Sequence, residues 1–149
     1  MMPMDIEYLL REFGAVGLGL FCFVAGTIVP ISSEAALALA LAGGMSPLVA
    51  LISASCGNCL ACTVNYGIGY WFRVHMEQKL QATRIGATAL RWIDCTRWWS
   101  LSASWLPFIG DPLTIAAGIA EVPIARFIGI VWSLRILRYG VVLWGFSLW

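Results

Sequence analysis

The chain has 149 residues, 60% hydrophobic and 11% charged, with mean hydropathy +0.84 and a formal net charge of +1. Soluble domains carry roughly 25% charged residues, so this composition excludes an ordinary soluble domain and predicts an all-α integral membrane protein of one small domain. The balanced charge excludes nucleic acid as a partner, and five cysteines, an odd number, do not read as a disulfide framework.

Residues 5–13 place Ile6, Leu9, Leu10 and Phe13 at helical spacing, with Asp5, Glu7, Arg11 and Glu12 around the rest of the helix. That predicts a short amphipathic helix lying in the interface. Its acidic balance is wrong for the positive start of a signal peptide. An apolar run then covers Gly14 to Val29, breaks at Pro30-Ile31-Ser32-Ser33-Glu34, and resumes as Ala35 to Ala42. Neither piece reaches the ~20 residues of a full span. Proline removes a backbone donor, and an unpaired backbone group is costly in lipid, so such a break must line a cavity or be buried in protein. Residues 14–44 are therefore expected to form a re-entrant hairpin ending at Gly43-Gly44.

Residues 48–72 carry no charge and are long enough for a transmembrane helix with room to tilt. Ala54, Gly57 and Ala61 give this helix a small-residue stripe for close packing, which permits a homodimer. Residues 73–97 hold Arg73, Lys79, Arg84, Arg91 and Arg97 against Glu77 and Asp94. By the positive-inside rule this basic amphipathic segment is cytoplasmic. Leu80, Ala87, Leu90 and Trp98 are expected on its membrane-facing side. Residues 98–120 repeat the broken pattern around Pro107, Gly110, Asp111 and Pro112, predicting a second re-entrant hairpin. Residues 124–149 are long enough to span, with Arg126 near the start, Arg135 and Arg138 well inside, and Trp132, Trp144 and Trp149 as candidate anchors.

The two halves share a frame. Glu34 follows Pro30 as Asp111 follows Pro107, and each acid precedes a small-residue pair and a second proline (Pro47, Pro123). Asn58 lies 24 residues after Glu34, and Arg135 lies 24 residues after Asp111. A charged side chain in hydrocarbon costs roughly 2.5 kcal/mol or more and by default marks function. Broken helices in repeated halves are a transporter pattern. The candidate site is therefore Glu34, Asp111, Arg135, Arg138 and Asn58. Each has a plainer reading. The acids can sit at capped helix starts, with Ser32 or Ser33 as the cap in the first half. The arginines can be structural counter-ions or can snorkel, and guanidinium also binds phosphate bidentately. Asn58 and Asn65 can be interhelical glue. Cys56, Cys59 and Cys62 have iron–sulfur-like spacing but no fourth ligand and point apart on one helix, so no metal is expected. His75 reads as solvated, and no nucleophile–base pair or phosphate loop marks an enzyme.

The chain resembles the DedA family, also known as the SNARE-associated Golgi protein or VTT-domain family, in its short YqaA-like branch. The resemblance covers roughly residues 20–145. It rests on Pro30-Ile31-Ser32-Ser33-Glu34 with Leu41-Ala42-Gly43, on Gly57-Asn58 and Tyr66-Gly67-Ile68-Gly69, and on Trp105-Leu106-Pro107, Gly110-Asp111, Ala117-Gly118 and Phe127. It implies an inverted-repeat fold, with two opposed re-entrant hairpins each followed by a transmembrane helix in the bacterial inner membrane. It also implies lipid movement across the bilayer, with an anionic phospholipid or a polyprenyl phosphate as cargo and proton coupling in some members. Where the wider family places arginines on either side of the second hairpin proline, this chain has Ser104 and Gly110.

The expected function is thus lipid transport by a multi-pass membrane protein without a cofactor. Membrane lipids and protons are its partners, and Glu34, Asp111, Arg135 and Arg138 surround one polar cavity. Two rivals stand beside it. One is a small membrane scaffold whose intramembrane charges only lock helices together. The other is a membrane enzyme acting on lipid phosphates.

Overall fold

A computed structural model describes residues 6–27, 32–106 and 109–147. Among the described residues there are helices and no strands. In chain order they are α1 (Ile6–Thr27), α2 (Ser33–Ala42), α3 (Pro47–Trp71), α4 (Arg73–Gln81), α5 (Arg84–Thr96), a 3-10 helix (Arg97–Trp105), α6 (Gly110–Ile119) and α7 (Ile124–Ser147). The proline breaks at 28–31 and 107–108 lie outside the described residues, as does Trp149.

Among the described residues, two helices are long and apolar enough to cross a membrane, over Pro47–Trp71 and Ile124–Gly145. At 1.5 Å per residue α3 extends about 37 Å, enough for a hydrocarbon layer of about 30 Å. Their outward faces are apolar. Leu48, Ile52, Leu60 and Val64 of α3, and Ile136, Leu137, Val141 and Trp144 of α7, are all exposed. A soluble core helix would bury such residues, whereas a helix in lipid has no reason to.

One boundary and the burial of one residue differ from the sequence reading. Residues 6–27 form one helix, so the expected interfacial segment 5–13 runs without a break into the first arm of 14–44. No proline or cap separates them. The basic segment 73–97 is two helices joined at Ala82-Thr83, where Thr83 Oγ1 accepts from the Gly86 N–H at 3.0 Å. Leu80, expected to face the membrane, is buried in the core instead.

The duplication is sharper in three dimensions. α2 and α6 are both ten-residue helices with the acid at the second position. Both end in the same cap. In α2 the Met45 N–H bonds the Ala40 carbonyl and the Gly44 N–H bonds the Leu41 carbonyl, each at 3.0 Å. In α6 the Val122 and Glu121 N–H groups bond the Ala117 and Gly118 carbonyls at 3.0 and 3.1 Å. This Schellman geometry needs a left-handed residue, and Gly44 (φ 86°) and Glu121 (φ 52°) supply it. Glu34, Gly44, Pro47 and Asn58 correspond to Asp111, Glu121, Ile124 and Arg135 at a constant shift of 77 positions.

Close helix contact centres on α3. A methyl group on Gly57 would collide with the Gly19 carbonyl of α1, and one on Gly69 would collide with the Ile115 carbonyl of α6. The stripe Ala54, Gly57, Ala61 is buried. Its tightest point seats α1, so it is spent within the chain rather than on a second copy.

Two apolar clusters result. One joins Cys62 and Tyr66 of α3 to Leu113, Ala116 and Ala117 of α6, Ile93 of α5, and Phe127 and Val131 of α7. The other joins Leu18 and Cys22 of α1, Leu37 of α2, Ala50 and Ala54 of α3, and Tyr139 of α7. Early α3 therefore lies beside late α7, so the two spanning helices run antiparallel. Between the clusters, on both helices, lie the polar residues Ser55 and Asn58 of α3 and Arg135 and Arg138 of α7.

Candidate functional site

α7 carries its two arginines near the middle of 24 residues, three positions apart, so they project to neighbouring points one turn apart. Each meets a different acid. Arg135 Nη2 donates to Asp111 Oδ1 at 2.6 Å. Arg138 pairs with Glu34. The sequence reading placed both acids around a shared cavity. The structure brings all four charges to one helix but sorts them into two pairs.

Both carboxylates occupy the first turn of a short helix, where unpaired N–H groups favour negative charge. The two starts are built differently. Ser32 is the N-cap of α2: its Oγ accepts from the Ala35 N–H at 3.2 Å and donates to Glu34 Oε2 at 2.9 Å. α6 has Ile109 at the cap position and no side-chain cap bond. Gly110 instead leaves room there. A methyl on it would sit 3.1 Å from Arg135 Nη2 and would press on the Ser104 carbonyl. This glycine lets the guanidinium lie against the first turn of α6, at one of the positions where this chain departs from the arginine of the wider family.

The pairs also differ in access. The Arg135 side chain is 4% exposed, yet its Asp111 partner is 39% exposed. The Arg138 and Glu34 side chains are 15% and 27% exposed, so that pair is open at both ends. Arg135 Nε and the Ser104 hydroxyl are buried with no hydrogen-bond partner among the described residues. A guanidinium carries five donors, and Arg135 thus retains a donor beyond its bond to Asp111. Arg138 Nη1 also reaches the Trp105 carbonyl, at 3.4 Å, tying it to the end of the 3-10 helix.

Neutral contacts hold this frame. Tyr139 donates to Ser33 Oγ at 2.8 Å in a buried setting. Asn65 Nδ2 donates to the Gly26 carbonyl at 2.9 Å, linking α3 to α1. Trp132, expected as an interfacial anchor, donates to Thr63 Oγ1 at 3.3 Å and links α7 to α3. Asn58 is buried and accepts a weak S–H bond from Cys62 at 3.8 Å. It meets neither acid among the hydrogen bonds of the described residues, so its place is at the α1–α3 contact beside Gly26. Arg126 is exposed at the start of α7, away from the pairs.

No group of three or more histidine, cysteine or acidic side chains that could hold a metal occurs among the described residues. Cys56 is exposed while Cys59 and Cys62 are buried, as expected for three cysteines on different sides of one helix.

Sequence reasoning missed Tyr139, and it named Ser33 only as a possible helix cap and Ser104 only as a departure from the wider family. A signal for the first was present: a tyrosine in an apolar span, next to an arginine, needs a partner for its hydroxyl.

The chain is similar to the Inner membrane protein YqaA of Escherichia coli (strain K12), with 29% identity over 121 residues, 80% of this chain and 82% of that protein. The protein of the same name from Shigella flexneri matches to the same extent. No family model matches the chain, and no solved structure matches it.

Proposed function

Because the chain is a YqaA-like member of the DedA family and a protein of the inner membrane, we propose that it carries an anionic lipid across the bilayer. On this reading α1–α2 and the 3-10 helix with α6 are re-entrant hairpins that approach α7 from opposite faces. The acid–arginine layer between the two apolar clusters receives the lipid head group, and the acyl chains stay against the apolar outer faces.

The open pair is the exchangeable one. With Glu34 ionised, Arg138 is neutralised and unavailable. A proton on Glu34 removes that attraction and frees Arg138 to bind phosphate bidentately. Arg135 adds its unused Nε–H while Asp111 continues to hold its charge. Loss of the proton from Glu34 restores the ion pair and expels the head group. The cargo is an anionic phospholipid or a polyprenyl phosphate, since both present the phosphate that this donor set fits. No covalent bond is made or broken, so the protein acts as a carrier rather than an enzyme.

The supporting observation is the pairing of each acid with its own arginine, near the middle of a helix long enough to span the membrane. The test is a lipid-flip assay in proteoliposomes with wild type, Glu34→Gln and Arg138→Ala. Both variants should lose most of the transport. Wild-type rates in both would overturn the reading. A wild-type protein that moves no lipid, with Glu34→Gln merely less stable, would favour the scaffold alternative.

A further inference from the structure

α5 has a buried face, a basic ridge opposite it, and two unlike edges. Gly86, Ala89 and Ile93 are buried against the rest of the fold. Stepping about 100° per residue, Arg84 and Arg91 fall on the side opposite this buried face, and both are exposed. Ile85 and Trp92 fall together on one edge, 45% and 37% exposed, and Trp99, in the 3-10 helix that follows, is 66% exposed. Asp94, the acidic residue of α5, falls on the opposite edge. An exposed isoleucine and exposed tryptophans beside two arginines, with the acid turned away, are poorly suited to water. They match the boundary of a bilayer, where tryptophan rings lie at head-group level and arginines reach phosphate.

The position in the fold agrees. Trp71 and Phe72, at the end of spanning helix α3, are exposed at 79% and 59%. The next residue, Arg73, pairs with Glu121 at the turn leading into α7. Ile93 and Asp94 line a cavity with that same turn. α5 therefore sits at the end of the molecule where α3 leaves and α7 enters the membrane.

We propose that α5 is a binding face for acidic phospholipid head groups. Arg84 and Arg91 hold the phosphates, and Ile85, Trp92 and Trp99 are sunk at the head-group boundary. This site is separate from the acid–arginine pairs on α7 and does not depend on transport. It has a mechanical link to them: Ala89 and Ile93 share an apolar cluster with Leu113, Ala116 and Ala117 of α6, the helix that opens with Asp111.

The test titrates the detergent-solubilised full chain with phosphatidylglycerol, and with phosphatidylcholine as the neutral control, by native mass spectrometry. Each juxtamembrane arginine is worth about fivefold in affinity for an anionic surface. The double variant Arg84→Gln/Arg91→Gln should therefore bind phosphatidylglycerol about 25-fold more weakly. Asp94→Asn, on the far edge, should bind at least as well as wild type. Hydrogen exchange on the wild type in nanodiscs provides a second reading without substitution: residues 84–99 should be more protected in phosphatidylglycerol than in phosphatidylcholine. Unchanged affinity in the double variant, or equal protection in the two lipids, would overturn the proposal. A face that engages a protein rather than lipid would give that equal result.

Discussion

Tyr139 and Ser33 are joined by a buried hydrogen bond of 2.8 Å, and each is the chain neighbour of a charged residue in the open ion pair. Arg138 precedes Tyr139, and Glu34 follows Ser33. The neutral bond thus holds the first turn of α2 against α7 and fixes the distance at which Glu34 meets Arg138. Cys22 of α1 and Leu37 of α2 pack in the same cluster as the Tyr139 ring, so three helices converge on this point.

Tyr139→Phe should remove that staple and little else. A loss of about 1–3 kcal/mol is expected, since the Ser33 hydroxyl is left buried without its donor. Thermal unfolding in detergent checks the stability. If the bond positions Glu34, transport in the flip assay should fall further than this loss of stability accounts for, with Ser33→Ala behaving alike.

The two arginines should respond unequally to truncation. Arg135 is 3% exposed, and removing one member of a buried pair costs up to about 3–5 kcal/mol. The half-open position of Asp111 lowers this toward the bottom of that range. Arg138 belongs to a more open pair, with side chains 15% and 27% exposed, so a smaller loss is expected there. Thermal shifts of Arg135→Ala and Arg138→Ala, measured side by side, should rank in that order. A larger loss for Arg138→Ala would contradict the division into a locking pair and an exchangeable pair.

Gly57→Ala should disrupt the fold, because the new methyl would meet the Gly19 backbone carbonyl, which cannot move without separating α1 from α3. Gly67→Ala, on the same helix, has nothing within 4 Å of the added group. That substitution should be neutral or stabilise by up to about 1 kcal/mol through helix propensity. Size-exclusion profiles of the two variants distinguish these outcomes.

Glu121→Gly should not destabilise the protein despite removing an ion pair. Glu121 holds a left-handed conformation that costs a residue with a Cβ about 1–2 kcal/mol, and Gly44 fills the corresponding place in the first half. The Arg73 pair lost in exchange is half exposed on both sides and contributes less than about 1 kcal/mol. An unchanged or raised melting temperature is the expected result.

Much of the architecture was legible in the residues. A charge-free run of hydrocarbon length marks α3, and a long, mostly apolar run broken by arginines marks α7, because lipid tolerates only internally bonded backbone. The repeated frame of Glu34 and Asp111 marked α2 and α6, because a charge in an apolar run is too costly to be incidental. The run of helix from residue 6 to residue 27 was not legible. A change in amphipathic pattern near Gly14 looked like a boundary, but backbone hydrogen bonding continues through it.

The membrane class, the broken first and third runs, the acids and the two arginines three apart on one helix follow from the residues alone. Local physics decides these: hydrophobic length, proline breaks and helical period. Which acid meets which arginine is set by packing between distant helices. Asp111 reaches Arg135 because Gly110 leaves space for a guanidinium, and Glu34 reaches Arg138 because the Tyr139–Ser33 bond brings α2 onto α7. Those are contacts between segments distant in sequence, and no spacing along the chain encodes them.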